Sequence, residues 1–309
     1  MHIPDSMLHG GICPVTAAVS SIGIATAAYS ARHAKTPPAR FAAVTALIFA
    51  GQMMNFPVMD GTSGHLLGGV LAASLLGTPL GVLSVAVVVA IQSLLLSDGG
   101  VTALGANLFN MAIIGAGVGG LLRSALAARW RSPAGNIMAT AAAAWASIVL
   151  ASFAVSVELA VAGQIAFSRV VAAMVGTHAL IGLGEAVITV AACAWMSAAD
   201  AAESPRGKAI MPLTAAAVIA LALSPFACGF PDGLEWIAGK YAFLHASAPV
   251  FVSPLPGYSV PCIANEQLST GLSGLAGVMV AFAASWALLR LMGCTVARQS
   301  SGTGSVLHE

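Results

Sequence analysis

Residues 79–97 read PLGVLSVAVVVAIQSLLLS, nineteen positions without a charge, in which Gln92, Ser84, Ser93 and Ser97 are the only polar side chains. About 20 apolar residues are needed to cross the hydrocarbon core of a bilayer as an α-helix. The stretch therefore predicts a transmembrane helix. Working outward from it, runs of spanning length recur at 12–31, 39–56, 103–123, 135–157, 168–197, 209–228 and 269–291, and a shorter run at 64–77 follows a Gly-Thr-Ser-Gly cluster. The expected fold is an all-α integral membrane protein of about nine transmembrane helices.

Composition agrees. Of 309 residues, 58% are hydrophobic and only 7% charged, with a mean hydropathy of +0.92. Soluble domains carry about a quarter charged residues. A net charge of +1 leaves no basic face to neutralise phosphates, which argues against nucleic acid as a partner and leaves membrane lipid as the surroundings. The five cysteines (Cys13, Cys193, Cys228, Cys262, Cys294) are scattered, with no C-x-x-C and no zinc-finger spacing. The first apolar segment is preceded by Asp5 and followed by Arg32, Lys35 and Arg40. This is the reverse of a cleaved signal peptide, so an uncleaved first helix with its N-terminus outside is expected.

Basic residues gather in alternate loops, as the positive-inside rule requires. Arg32, Lys35, Arg40, Arg123, Arg129, Arg131, Arg206, Lys208, Arg290 and Arg298 fall on one side, and Arg169 and Lys240 are the exceptions. The other side holds the N-terminus and most of the acidic residues (Asp5, Asp60, Asp98, Glu158, Asp232, Glu235, Glu266). Such a surface gathers cations, although acidic loops are also ordinary solvated loops.

The chain opens MHIPDSMLHGGICP over residues 1–14. With His second, an N-terminus offers a metal three nitrogens at once: the Met1 amine, the His2 amide nitrogen and the His2 imidazole Nδ1. These close a five-membered and a six-membered chelate ring, and one further nitrogen completes a plane. Pro4 fixes its own φ and biases Ile3 toward an extended conformation, so the arm is stiff enough to thread into a site. First residues are also frequently frayed. The fourth nitrogen is offered in NFPVMDGTSGHLLGG at 55–69, where Ser63 or Thr62 is placed to cap a helix starting near His65. A single membrane histidine is commonly structural, yet an ionisable side chain at membrane depth is a functional candidate.

Four motifs carry a resemblance: MHIPD at the start, NFPVMDGTSGHLLGG, SDGGVTALGANLFNM at 97–111 and HALIGLGEAVIT at 178–189. Together they resemble the CbiM/NikM family, substrate-binding membrane components of energy-coupling-factor transporters for cobalt and nickel. PDGLEW at 231–236 and SPLPGYSVP at 253–261 resemble the accessory PDGLE (CbiN/NikN-like) domain. The resemblance implies a metal-binding membrane domain over residues 1–205 and an accessory domain with two transmembrane helices over 206–309. Ser6 stands where the family usually has Gly, and His9 is an addition.

The resemblance also implies that Met1, His2 and His65 hold the metal. A four-nitrogen plane suits Ni(II), Cu(II) or low-spin Co(II) and disfavours oxygen-seeking Mg, Ca and Mn. Gln92, Asn107, Asn110, His178 and Glu185 lie in apolar helices and are expected to pack or to support the ligands. Among loop cysteines, Cys228 and Cys262 are the pair placed to form a disulfide. No nucleotide loop is present, since the Gly207-Lys208 pair lacks the G-x-x-x-x-G-K-[ST] context. The resemblance accordingly implies partners: a transmembrane coupling subunit and two cytoplasmic ATP-binding-cassette ATPases, with the chain itself not an enzyme and nickel or cobalt its transported substrate. The expected role is capture of the ion at the outer face of the cytoplasmic membrane and delivery inward. A metal-dependent hydrolase would need an open coordination position and a nearby base. An ion-driven permease would favour inverted repeats, and neither histidine motif recurs in the second half.

Overall fold

The computed structural model describes residues 1–5, 7–59, 61–202, 207–243 and 250–302, with the side chains of 200–202 and 294–302 excepted. Ser6, Asp60, Arg206, Cys294, Arg298 and the expected domain boundary at 205/206 lie outside the described residues or side chains.

Ten helices follow one another among the described residues. They are α1 (Ile12–Ala31), α2 (Pro38–Gln52), α3 (Gly69–Leu76), α4 (Thr78–Leu96), α5 (Leu104–Arg129), α6 (Pro133–Val161), α7 (Phe167–Ala202), α8 (Gly207–Phe226), α9 (Gly233–Lys240) and α10 (Glu266–Gly302). Seven of them (α1, α4, α5, α6, α7, α8 and α10) are long and apolar enough to cross a membrane. The protein is a multi-pass, all-α membrane protein.

Two of the nine apolar runs are too short to span. Helix α2 has 15 residues and α3 has 8, so at 1.5 Å per residue α3 rises only about 12 Å. Their apolar residues face protein rather than lipid. Every position from Phe41 to Ala50 is buried, and Phe49 lies so close to Gly277 of α10 that no side chain fits there. This shielding satisfies the rule that backbone at membrane depth be covered by protein or hydrogen-bonded within its own helix.

Local sequence sets the helix ends. Pro38 opens α2 and Pro133 opens α6, where a missing N–H costs nothing, and the Ser132 hydroxyl accepts from the Gly135 amide at 3.0 Å. Asp232 and Glu235 form a capping box on α9. Within α5, residues Leu108–Val118 run as a π-helix, a geometry found frequently at functional sites.

Residues 55–69 depart from expectation. No helix begins at His65. Asn55–Pro57 (β1) and Ser63–His65 (β2) pair as an antiparallel hairpin with Asn55 opposite His65. Pro57 and Gly61 (φ 74°) turn the chain, and Gly68, left-handed at φ 73°, starts α3 at Gly69 without a side-chain cap. The expected caps are used elsewhere: Ser63 Oγ donates to Phe230 O at 2.8 Å, and Thr62 Oγ1 has no partner among the described residues. An extended segment holds His65 clear of the helix that follows.

The acidic segments converge on one end of the bundle. Asp5 Oδ1 accepts from the Thr102 amide and hydroxyl, both at 2.7 Å. Gln164 lies 3.3 Å from His9, and the Cys228 amide donates to Asn55 O at 2.9 Å. Arg40 donates to Lys208 O at 3.2 Å, which joins two of the basic segments. Cys228 and Cys262 are both free thiols, Cys262 exposed and Cys228 held beside β1. The expected disulfide is absent.

Candidate metal centre

The N-terminal arm is an interior strand of chain, not a frayed end. Ile3 and Met7 are fully buried and Met1 is 5% exposed, each burial contributing on the order of 2 kcal/mol. Asn107 brackets the Ile3 peptide unit: its Oδ1 accepts from the Ile3 amide at 2.8 Å and its Nδ2 donates to the Ile3 carbonyl at 3.0 Å. Gly100 donates to the same carbonyl at 2.8 Å. A side chain at Gly100 would run into Asp5, so glycine there lets the arm lie flat on the 98–102 turn.

This anchoring brings Met1, His2 and His65 together. The Met1 amine lies 2.6 Å from His65 Nε2, and the His2 and His65 rings stack with centroids 5.3 Å apart and planes 11° from parallel. His65 Nδ1 donates to the Leu66 carbonyl at 3.0 Å, so the proton sits on Nδ1 and the Nε2 lone pair faces the amine. Among the described residues no hydrogen bond uses the His2 amide nitrogen. No group of three or more His, Cys, Asp or Glu side chains there is arranged to hold a metal. The nitrogen donors that meet here are the Met1 amine and the two imidazoles.

Two carboxylates face the Met1 amine and the His2 imidazole. The Met1 ammonium donates to Asp232 Oδ2 at 2.5 Å. His2 Nδ1 lies 3.0 Å from Asp98 Oδ1, and its Nε2 lies 3.1 Å from Gln92 Oε1. Tyr258 donates to the other Asp98 oxygen at 2.6 Å. Burial alone would raise both carboxyls. At Asp232 the Met1 ammonium and His65 outweigh it, and at Asp98 His2 and Tyr258 do so, holding both below the usual carboxylate range. Burial, then the Met1 ammonium, lowers His65 and keeps its lone pair available. Burial and the neighbouring Asp232 push Glu235 up.

Of the supporting residues expected from sequence, some lie at the centre and some do not. Gln92 and Asn107 touch the arm directly. Glu185 accepts from the amides of Leu67 and Gly68 at 2.7 and 2.9 Å, fixing the chain two and three residues beyond His65. His178 donates from Nδ1 to Met174 O at 2.8 Å and shares a narrow cleft with Met1, His65 and Asp232. Asn110 donates to Glu158 at 2.7 Å, away from the imidazoles. Asp98, Asp232 and Tyr258 complete this arrangement, and they lie in the SDGG, PDGLEW and SPLPGYSVP segments, where local sequence marks the acidic pair only as surface charge.

The PDGLEW segment also flanks the hairpin. Ser63 donates from its amide to Pro231 O at 2.9 Å, and Ser63 and Asp232 form a parallel bridge. Both the arm and the His65 strand are thus held by residues from the last third of the chain.

Residues 2–203 match the model of the CbiM family, described as the cobalt uptake substrate-specific transmembrane region, and residues 206–293 match the PDGLE domain. A putative fused nickel transport protein NikMN of Archaeoglobus fulgidus is 34% identical over 94% of this chain and 98% of its own length. The fused nickel transport protein NikMN of Rhodobacter capsulatus is 29% identical over 90% and 94%. A crystal structure of a transition metal transporter matches with a TM-score of 0.58 at 29% identity, covering 67% of this chain and 97% of that one.

Proposed function

The chain belongs to the CbiM family of cobalt uptake transmembrane proteins, with a PDGLE domain behind the family region, and from that membership we propose that it is the substrate-specific component of an ATP-driven nickel or cobalt importer. In this reading residues 1–205 capture the ion and 206–309 form the accessory domain. Capture takes place at the outer face of the cytoplasmic membrane. A transmembrane coupling subunit and two ATP-binding-cassette ATPases supply the energy, and the chain itself performs no covalent chemistry.

The observation that carries this reading is the 2.6 Å approach of the Met1 amine to His65 Nε2, together with the stacking of the His2 and His65 rings. The transported ion, Ni(II) or Co(II), takes the Met1 amine, the His2 amide nitrogen, His2 Nδ1 and His65 Nε2 as a plane of four nitrogens. On binding it, the amine and the amide each release a proton to solvent. His2 Nδ1 turns from Asp98 toward the ion, and Asp98 and Asp232 remain as nearby negative charges that offset it. The relatives named for nickel transport support the choice of ion class.

Metal analysis of untagged, purified protein tests the site, with about one nickel or cobalt per chain expected. Uptake into vesicles tests the transport reading: it should require the ATP-hydrolysing partners and ATP. Uptake by the chain alone, driven by an ion gradient, would replace the importer by a permease.

A further inference from the structure

At the end of α5 remote from Asn107 and the N-terminal arm, a cavity of about 150 Å³ opens between α5, α6 and α7. Arg123 of α5, Asn136, Ile137 and Thr140 of α6, and Cys193 and Ser197 of α7 line it. Arg129, Trp130 and Arg131 stand exposed just beyond, where α5 ends. A tryptophan among arginines marks the boundary between membrane and water.

Arg123 is half-buried, and its guanidinium is underused. Nε donates to Thr140 Oγ1 and Nη2 to Asn136 Oδ1, both at 3.3 Å, long bonds to neutral acceptors. Nη1 has no partner among the described residues, and no carboxylate there pairs with the charge. The Ser197 hydroxyl, across the cavity on α7, has no partner among the described residues either. A charge that packing has partly stripped of water at the edge of a membrane calls for an opposite one. Free N–H groups on a planar guanidinium match the oxygens of a phosphate.

The position of the cavity indicates where that phosphate comes from. Ile137 lines it and is 55% exposed, and Val187 and Trp195 on the same stretch of α7 are 69% and 48% exposed. Large apolar side chains left uncovered on membrane helices face lipid, so the cavity opens sideways into the bilayer. Val190 and Ala194 add apolar wall beside the polar donors, as a lipid head with its first carbons requires. A single water needs only ~10–15 Å³, so the oxygens of a phosphodiester fit. No Asp or Glu is among the described residues lining the cavity, and the cation of a zwitterionic head would find no partner there.

We propose that Arg123 and Ser197 hold the phosphate of one anionic phospholipid between α5, α6 and α7, at the opposite end of α5 from the metal centre. The site does not depend on which ion the N-terminal arm takes.

Native mass spectrometry of the full-length protein in detergent, titrated with phosphatidylglycerol or phosphatidylcholine, tests this. One phosphatidylglycerol per chain should be retained ~10-fold more tightly than phosphatidylcholine. Arg123→Gln can still donate to Thr140 or Asn136 but lacks the charge, and should bind both lipids alike. Ala194→Phe fills the cavity and leaves Arg123 in place; it should lose the preference too, and serves if the first variant does not fold. Arg129→Gln/Arg131→Gln removes two exposed charges outside the cavity and should change the preference by no more than about twofold, since solvent screens them. Inorganic phosphate should displace the lipid no better than chloride at equal ionic strength. Displacement beyond that control would replace the lipid by a free anion. An undiminished preference in Arg123→Gln, an equal loss in the Arg129→Gln/Arg131→Gln protein, or no preference in the wild type would overturn the site.

Discussion

The first residue of the chain is paired with one near its last quarter: the Met1 ammonium donates to Asp232 across 231 positions, at 2.5 Å, with both groups largely buried. The same carboxylate caps α9 by accepting from the amides of Leu234 and Glu235 at 2.8 and 2.9 Å. One side chain thus ties the terminal amine to the fold of the PDGLE-like region. Asp232→Asn keeps a capping oxygen but removes the charge. Nickel affinity measured by calorimetry should fall ~10–100-fold, the effect of losing a partner behind a metal ligand, while helical content is retained. Unchanged affinity would exclude Asp232 from the centre.

Replacing His2 or His65 by alanine should abolish stoichiometric metal while the helices remain folded, because neither ring fills the apolar core. Full occupancy in the His65→Ala protein would overturn the assignment. Glu185→Ala differs in kind. It leaves the amides of Leu67 and Gly68 unpaired at a cost of about 1–3 kcal/mol each, so thermal stability should fall along with affinity, and Glu185→Gln should recover part of both.

A residue added before Met1 converts the amine into a peptide nitrogen and moves it off Asp232 and His65. Such a protein should bind no nickel in the planar mode, whereas an extension after Glu309 should be tolerated. Metal analysis of the two tagged proteins side by side decides the matter, and normal binding by the N-terminally extended protein would refute amine ligation.

Metal affinity should rise with pH. The amine and the His2 amide must both lose protons to bind, so log affinity should climb by one to two units per pH unit, about one for each proton released. His65 adds little to this slope, since burial and the neighbouring ammonium already disfavour its protonated form. Metal-free stability should show the complementary effect. The folded-state value of His65 lies below that of the unfolded chain, so the unfolded state takes up a proton first and stability declines as pH falls below about 6.5. Thermal unfolding from pH 7.5 to 5.5 should show that decline in the wild type and a smaller one in His65→Ala.

Both the membrane fold and the nitrogen donors of the arm are legible in local sequence, for different reasons. The uncharged run at 79–97 supplies nearly all of α4, which ends at Leu96, because hydrocarbon admits little else, and that constraint acts within a single segment. His2 behind a terminal amine is a chelating unit by covalent structure alone, whatever the fold. Local pattern misled at 64–77, where glycines and apolar residues read as one helix. The hairpin that replaces its beginning is stabilised by Pro231 and Phe230, which are remote in the chain.

What the sequence by itself determined is the class of solvent, the seven longer segments fit to cross it and the presence of nitrogen donors at the arm and the loop, because hydropathy, length and donor chemistry are properties of neighbouring residues. Tertiary structure alone decided which carboxylates lie against Met1 and His2. Asp98 and Asp232 look like any other acidic loop residue until Met1 and His2 are set against them, and that pairing depends on contacts 96 and 231 positions apart. Long-range electrostatic partners leave no local periodicity; they are chosen when packing removes water and makes each buried charge require an opposite one.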